Sequence, residues 1–200
     1  MEIEKESRIL AAAKTVFLRH GFRRVTMQDI ADEAGISRPA LYLKYSNKEQ
    51  VFLAVVSDVA TKNLEFIRGD LWAHPTMESK LHFAFEVWTV DPFRMMIESP
   101  NAKDLIDCTH GFAREIMEKL SAEFEAILVE ILSPAVKAPV ASLAGDEELL
   151  APEIAHLLAT SIHGFKESAH TTRELRTMIH GLITLTIAAL RTPSSKVAKA

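Results

Sequence analysis

Apolar residues recur at every third or fourth position along nearly the whole chain, and no stretch shows clean apolar–polar alternation. A chain patterned this way packs as helices. Seven Gly and eight Pro in 200 residues are too few for a loop-rich all-β protein. The first helix, over 4–20, carries Ile9, Ala12, Ala13, Val16 and Phe17 on one face, and Gly21 is placed to stop it. A long helix from about Lys48 to Arg68 is lined by Phe52, Val56, Ala60, Leu64 and Ile67. Another, over 108–132, is lined by Phe112, Ile116, Leu120, Phe124, Ile127 and Ile131.

The starts are marked as well. Thr26 with Asp29 three residues on reads as a capped start, with Val25 and Ile30 at the staple positions. Gly35 ends that short helix, and Ser37 caps the next, with Pro39 tolerated in its first turn. Ser46 and Glu49 signal the start of the long helix, Pro75–Thr76 opens another, and Thr171 with Glu174 opens the last. Asp91-Pro92 and Ser99-Pro100 each pair a cap with a proline, which predicts a region split into short pieces. Residues 133–146 read as a loop, followed by helices over 147–169 and 172–191.

Two short helices joined by a tight glycine-containing turn suggest a helix-turn-helix. Ala31 is small where the helices must cross, and Ile36 and Leu41 are apolar where the unit must bury its inner face. The run TMQDIADEAGISRPALYLKYSNKEQVF (26–52) resembles the DNA-binding signature of the TetR family of transcriptional regulators. That resemblance implies an all-α homodimer with about nine helices. An N-terminal three-helix helix-turn-helix DNA-binding domain over 1–47 would precede a C-terminal helical ligand-binding and dimerisation domain over 48–200. It implies a repressor that binds a palindromic operator in double-stranded DNA and is released by a small hydrophobic ligand. Matching positions imply phosphate contacts for Thr26, Tyr42 and Lys48, and a groove-facing set of Ser37, Arg38, Ala40 and Lys44. Tyr45 joins the DNA-binding candidates, standing where the family often has Phe.

In the middle of the chain, Trp72, His82, Phe85, Trp88, Phe93, Met96, Cys108 and Phe112 are the candidates for lining the ligand cavity. Such pockets are mostly apolar with a few polar groups, although the same residues could simply fill a core. His110 is a further polar candidate. The last helix is apolar on nearly every side, so it must be covered all round. Ile154, Leu158, Ile162, Phe165, Leu175, Ile179, Leu182 and Thr186 are therefore the expected dimer interface, a four-helix bundle from two chains.

His156, His163 and His170 recur every seven residues, but successive members stand about 10.5 Å apart along a helix, too far for one metal ion. No metal and no cofactor are expected. One cysteine, Cys108, excludes an internal disulfide framework. Cys108 and His110 point away from each other on a helix, and no phosphate-binding loop or nucleophile elbow is present, so an enzyme is the remote alternative. A nearer alternative is a DNA-binding regulator without a small ligand, switched by a protein partner or by oxidation. The start MEIEKESRIL lacks the pattern of a secretory signal, and the apolar stretch 177–190 is too short to span a bilayer. A cytoplasmic, nucleoid-associated protein without membrane attachment is expected. The net charge of −4 does not oppose a DNA partner: residues 1–50 hold nine Lys and Arg against seven Asp and Glu, so the acidic excess lies in the remainder.

Overall fold

The computed structural model describes residues 2–136, 142–143, 147–148 and 150–191. It is all-α apart from one four-residue ladder: α1 (Glu2–His20), α2 (Met27–Ala34), α3 (Arg38–Tyr42), α4 (Lys48–Asp70), α5 (Met77–Phe85), α6 (Asp91–Ile97), α7 (Ala102–His110), α8 (Arg114–Leu132), α9 (Ala151–Ser168) and α10 (Thr172–Arg191). Because α5 and α6 are continuous through a π turn, Glu86–Val90, the described residues form nine separate rods.

The chain divides into two compact units, Met1–Asn63 with Pro92–Leu120, and Leu64–Asp91 with Ser121–Ala200. The core of the first is built by Ile9, Ala13, Val16 and Phe17 of α1, Ile30 and Ala31 of α2, Leu41 of α3, and Val51 and Phe52 of α4, with Leu105 and Ala113 packed among them. Phe17 and Phe52 meet edge to face with centroids 5.3 Å apart. Each large apolar side chain buried in this way contributes about 1.5–3 kcal/mol. In the second unit Leu64, Ile67, Leu81, Phe85, Phe124, Ile127, Leu128, Leu175 and Ile183 are all but inaccessible to solvent.

Several element boundaries depart from the sequence reading. The long helix α4 is capped by Asn47, whose Oδ1 accepts from the Gln50 N–H at 2.8 Å, while Gln50 Oε1 accepts from the Ser46 N–H at 2.9 Å. The start lies one residue later than the Ser46–Glu49 pair suggests, because Asn47 and Gln50 satisfy the same orphan donors. Asp91-Pro92 does not begin a separate piece. Pro92 has no N–H for the carbonyl four residues back, and the preceding turn widens, with the Asp91 N–H donating to Glu86 O. Ser99-Pro100 does end a helix. The helix expected over 108–132 is broken at Gly111–Ala113, which puts Phe112 in a turn rather than on a rod. Within the expected loop 133–146, Ser142–Leu143 pairs antiparallel with Glu147–Glu148, while 137–141 and 144–146 lie outside the described residues. The helix expected from 147 starts at Ala151, where Pro152 occupies its first turn and Glu153 Oε2 accepts from the Leu150 N–H at 3.1 Å.

Candidate nucleic-acid interface

Helices α2 and α3 form the expected helix-turn-helix. Thr26 caps α2: its Oγ1 accepts from the Asp29 N–H at 3.2 Å and donates to Asp29 Oδ2 at 2.7 Å, and its own N–H donates to the same oxygen at 2.8 Å. These bonds hold the Asp29 carboxyl below its ordinary pKa. Gly35 stops the helix at φ +66°, a conformation that strains any residue carrying a Cβ. Ser37 Oγ then accepts from the Ala40 N–H at 3.3 Å and starts α3. Ala31, fully buried, lets the two helices close on each other.

The solvent side of α3 carries two parallel rows. In one, the Arg38 guanidinium lies 5.3 Å from the centroid of the Tyr42 ring and donates to its hydroxyl at 3.3 Å. In the other, Pro39 and Leu43 are both exposed. Ser37 is exposed as well, Ala40 half-buried. Lys44 is half-buried, with its Nζ 3.2 Å from Glu6 Oε2 of α1. Thr26 and Ser37 thus stand at the N-termini of α2 and α3, Arg38, Ala40 and Tyr42 lie on α3, and Lys44 lies past its end, turned to α1 rather than outward.

Two of the DNA-binding candidates stand differently. Tyr45 is buried, and its hydroxyl donates to Glu6 Oε1 at 3.1 Å. Burial, reinforced by Glu6, pushes its pKa up to about 12. Its ring belongs to the core because it lies one turn past Leu41, on the inner face. Lys48 turns back to the α1–α2 turn: Nζ donates to Phe22 O at 2.7 Å and Arg23 O at 3.3 Å, and sits 4.5 Å from the Phe22 ring centroid. Leu43 is the residue the sequence reading passed over. It is 88% exposed, and its signal was its place one turn after Pro39, off the inner face already filled by Leu41.

The ligand candidates fall four to each unit. In the second unit Phe85 is fully buried, and Trp88 stacks on Phe124 with centroids 5.0 Å apart. His82 stacks on His180, Nε2 to Nδ1 at 3.3 Å. Trp72 is exposed, with Lys80 Nζ 4.0 Å from its ring centroid. In the first unit Phe93 is buried and Met96 half-buried. Phe112 packs on Phe22 and Phe52, 5.1 and 5.5 Å away, and Cys108 packs against the same core. Phe112, 39% exposed, thus sits at the surface edge of the aromatic cluster of the first unit, and Cys108 is half-buried against the same core. Burial, and then Asp104, raise the Cys108 thiol pKa. The side chain of His110 lies outside the described residues. A hollow of about 220 Å³ in the first unit is lined instead by Leu10, Lys14, Val55, Asp58, Val59 and Lys62 among others. Thr89 was not foreseen: its hydroxyl is fully buried in the π turn and has no hydrogen-bond partner among the described residues.

Of the eight dimer candidates, Ile154, Leu158, Ile162, Leu175 and Ile179 are buried within the chain's own second unit, and Phe165, Leu182 and Thr186 are half-buried. The large apolar residues exposed on α9 and α10 are Leu157 and Leu185. The expected interface residues thus mostly face inward, because one amphipathic stripe of each helix meets its own core first. His156 contacts Glu125 at 3.1 Å, and no group of three or more metal-ligating side chains exists among the described residues. Among them, too, no helix is long and apolar enough to cross a membrane.

Residues 9–55 match the family described as bacterial regulatory proteins, tetR family. The HTH-type transcriptional regulator YfiR of Bacillus subtilis is 43% identical over 53 residues, 26% of this chain and 26% of that protein. The chain thus spans about a quarter of that relative's length. The HTH-type transcriptional repressor BepR of Brucella suis is 24% identical over 208 residues, covering 96% of this chain and 94% of its own. A transcriptional regulator from Cytophaga hutchinsonii has a similar fold, with a TM-score of 0.74 at 18% identity over 92% of this chain and 97% of that one.

Proposed function

We propose, from the premise that residues 9–55 place this chain in the tetR family of bacterial regulatory proteins, that it is a transcriptional repressor acting as a homodimer on a palindromic operator. Residues 1–47 are the DNA-reading head and 48–200 the ligand-binding and dimerisation body. The observation that carries this reading is the α2–turn–α3 unit. Both its helices are capped, its inner face is buried, and its outer face presents Ser37, Arg38 and Tyr42. Those groups suit base edges and phosphates in a major groove. That a 96%-covering relative is named a repressor favours repression.

A small hydrophobic molecule releases the DNA from the body. Support comes from the aromatic side chains Phe85, Trp88 and Phe124, and from the buried, unpartnered Thr89 hydroxyl beside them in sequence. A buried orphan hydroxyl is costly unless something bonds to it, and π turns are frequent at functional sites. Such a molecule must prefer one spacing of the paired heads over the other, or nothing is transmitted. The raised thiol pKa of Cys108 disfavours oxidation as the switch, since the thiolate is the reactive form. The dimer forms through the outward faces of α9 and α10, which keeps the helices named from sequence and turns them about their axes. The protein works in the cytoplasm at the nucleoid, with no membrane attachment and no enzymatic activity.

Selection of bound sequences from random DNA tests the reading. The expected product is a palindrome with half-sites one helical turn apart, or a multiple, bound with an affinity that falls steeply with salt. Recovery of no common sequence would sink it. A thermal-shift screen of metabolites then finds the ligand, because a molecule that binds only the folded state raises its melting temperature.

A further inference from the structure

Resting on the DNA-binding reading, we infer that Leu43, with Pro39 one turn before it, reads the C5 methyl group of thymine in the operator. A singly exposed leucine is ordinary on a protein surface. This one differs in its place. It is 88% exposed, the most exposed of the large apolar residues described, and sits at the end of the helix that enters the groove. The core does not need it, because Leu41 and Tyr45 on either side already turn inward and are buried.

Helix geometry puts Pro39 and Leu43 in one row, joined by the Leu43 N–H donating to Pro39 O at 3.1 Å. The adjacent row is Arg38 and Tyr42, whose side chains are drawn onto each other. Lys44, the next residue, is half-buried and turned to Glu6 of α1. An apolar strip beside the Arg38 guanidinium fits a surface that is anionic at its edge and offers an apolar group next to it. In double-stranded DNA that group is the thymine methyl, presented in the major groove. The recognition face therefore carries two kinds of reader side by side. The Arg38–Tyr42 row provides donors for phosphates and acceptor edges, and the Pro39–Leu43 row provides a pocketless apolar contact that tells thymine from cytosine.

Deoxyuridine in place of single thymines removes the methyl group and keeps every hydrogen-bonding atom. With the full chain and an operator obtained by selection, each thymine is replaced in turn and affinity is measured by fluorescence anisotropy. At one thymine or more per half-site, the change is expected to weaken wild-type binding about fourfold, the transfer value of one buried carbon. The loss should vanish in Leu43→Ala, while Arg38→Ala should keep it. A loss that is unchanged in Leu43→Ala, or no loss at any thymine, overturns the assignment although operator binding stands. A chain that selects no operator overturns the underlying reading and this assignment with it. Leu43 is exposed, so the variant should melt as the wild type does, and an unaltered melting curve checks that the comparison is fair.

Discussion

The backbone N–H of Arg23 donates to Oδ2 of Asp104, eighty-one residues further along the chain, at 2.8 Å. The contact is one of a set. Ser99 Oγ donates to Leu18 O at 2.7 Å and Asn101 Nδ2 to Arg19 O at 3.1 Å. The last carbonyls of a helix have no partner within it. Here the segment just before and into α7 supplies donors for two of those at the end of α1, and an acceptor for the turn that follows. The end of α1 and the turn after it are thus fastened by residues about eighty positions further on. Arg23 also lies 3.1 Å through Nε from Asp104 Oδ1, outside hydrogen-bond geometry, with the arginine largely in solvent and the carboxylate oxygen buried.

Gly21 and Gly35 should respond differently to alanine. Both have positive φ, +77° and +66°. A Cβ at position 21 would stand 2.8 Å from Asp104 Oδ2 and 2.9 Å from Asn101 Cβ, whereas one at 35 meets nothing within 4 Å. Gly35→Ala should cost only the backbone strain, about 1 kcal/mol. Gly21→Ala should cost about 3 kcal/mol, because it adds displacement of α7 to the same strain. Urea unfolding of the two variants measures the difference, and equal losses would contradict the close approach.

Lys48→Met keeps the apolar stem over Phe22 and removes the donors to Phe22 O and Arg23 O. The half-buried carbonyl of Phe22 loses its charge-assisted partner. A destabilisation of about 1–2 kcal/mol is expected. Chemical denaturation with near-unchanged slope would read it, and a stability equal to wild type would show that the bond to the turn contributes nothing.

The paired histidines give a pH dependence. His82 has its pKa lowered, first by burial and then by the neighbouring His180, while Glu78 and Glu86 oppose the shift. Glu86 is itself held by Arg176. A histidine with a folded pKa below its unfolded value resists protonation in the fold. Its contribution is intact above the unfolded pKa of about 6.5 and is lost as pH falls below it. The melting temperature should drop from pH 7.5 to 5.5, and His82→Asn should shrink that drop. His180→Asn should shrink it as well, by removing the like charge. An equal drop in all three proteins would assign the effect elsewhere.

The helical pattern, the capped starts at Thr26, Ser37 and Thr171 and the glycine stops at Gly21 and Gly35 were legible because each rests on neighbours in sequence. So was the face of α3, since inward and outward positions follow from a period of 3.6. What depends on distant partners was not legible. Nothing near Tyr45 in sequence announces Glu6 as its partner, and nothing near Lys48 announces the carbonyl of Phe22. Nor does apolarity alone say that Phe112 packs on Phe22 and Phe52 at the surface edge of the first unit, because it has the same signature beside a core and in a pocket. The π turn at Glu86–Val90 leaves no mark other than Pro92, which equally suits a fresh helix start.

The inward turn of the expected interface residues sharpens the test of dimerisation. Ile179 and Leu185 lie on the same helix, yet Ile179 is 3% exposed and Leu185 71%. A charge at each should therefore do different things. Ile179→Glu buries a carboxylate without a partner in the core of its own unit, and should unfold the chain or leave it barely stable. Leu185→Glu puts the carboxylate in water in the single chain and costs the fold little. In a dimer joined through the outer faces of α9 and α10, the same carboxylate would be trapped against the partner's apolar surface. Glycines 164 and 181, where an added Cβ meets nothing within 4 Å, leave those faces low enough for a second copy to approach. Wild-type protein should sediment at twice the chain mass of 22.3 kDa, and Leu185→Glu near that single mass with its helical circular dichroism intact. A variant that stays dimeric, or a wild type that sediments as one chain at micromolar concentration, would remove this face from the interface.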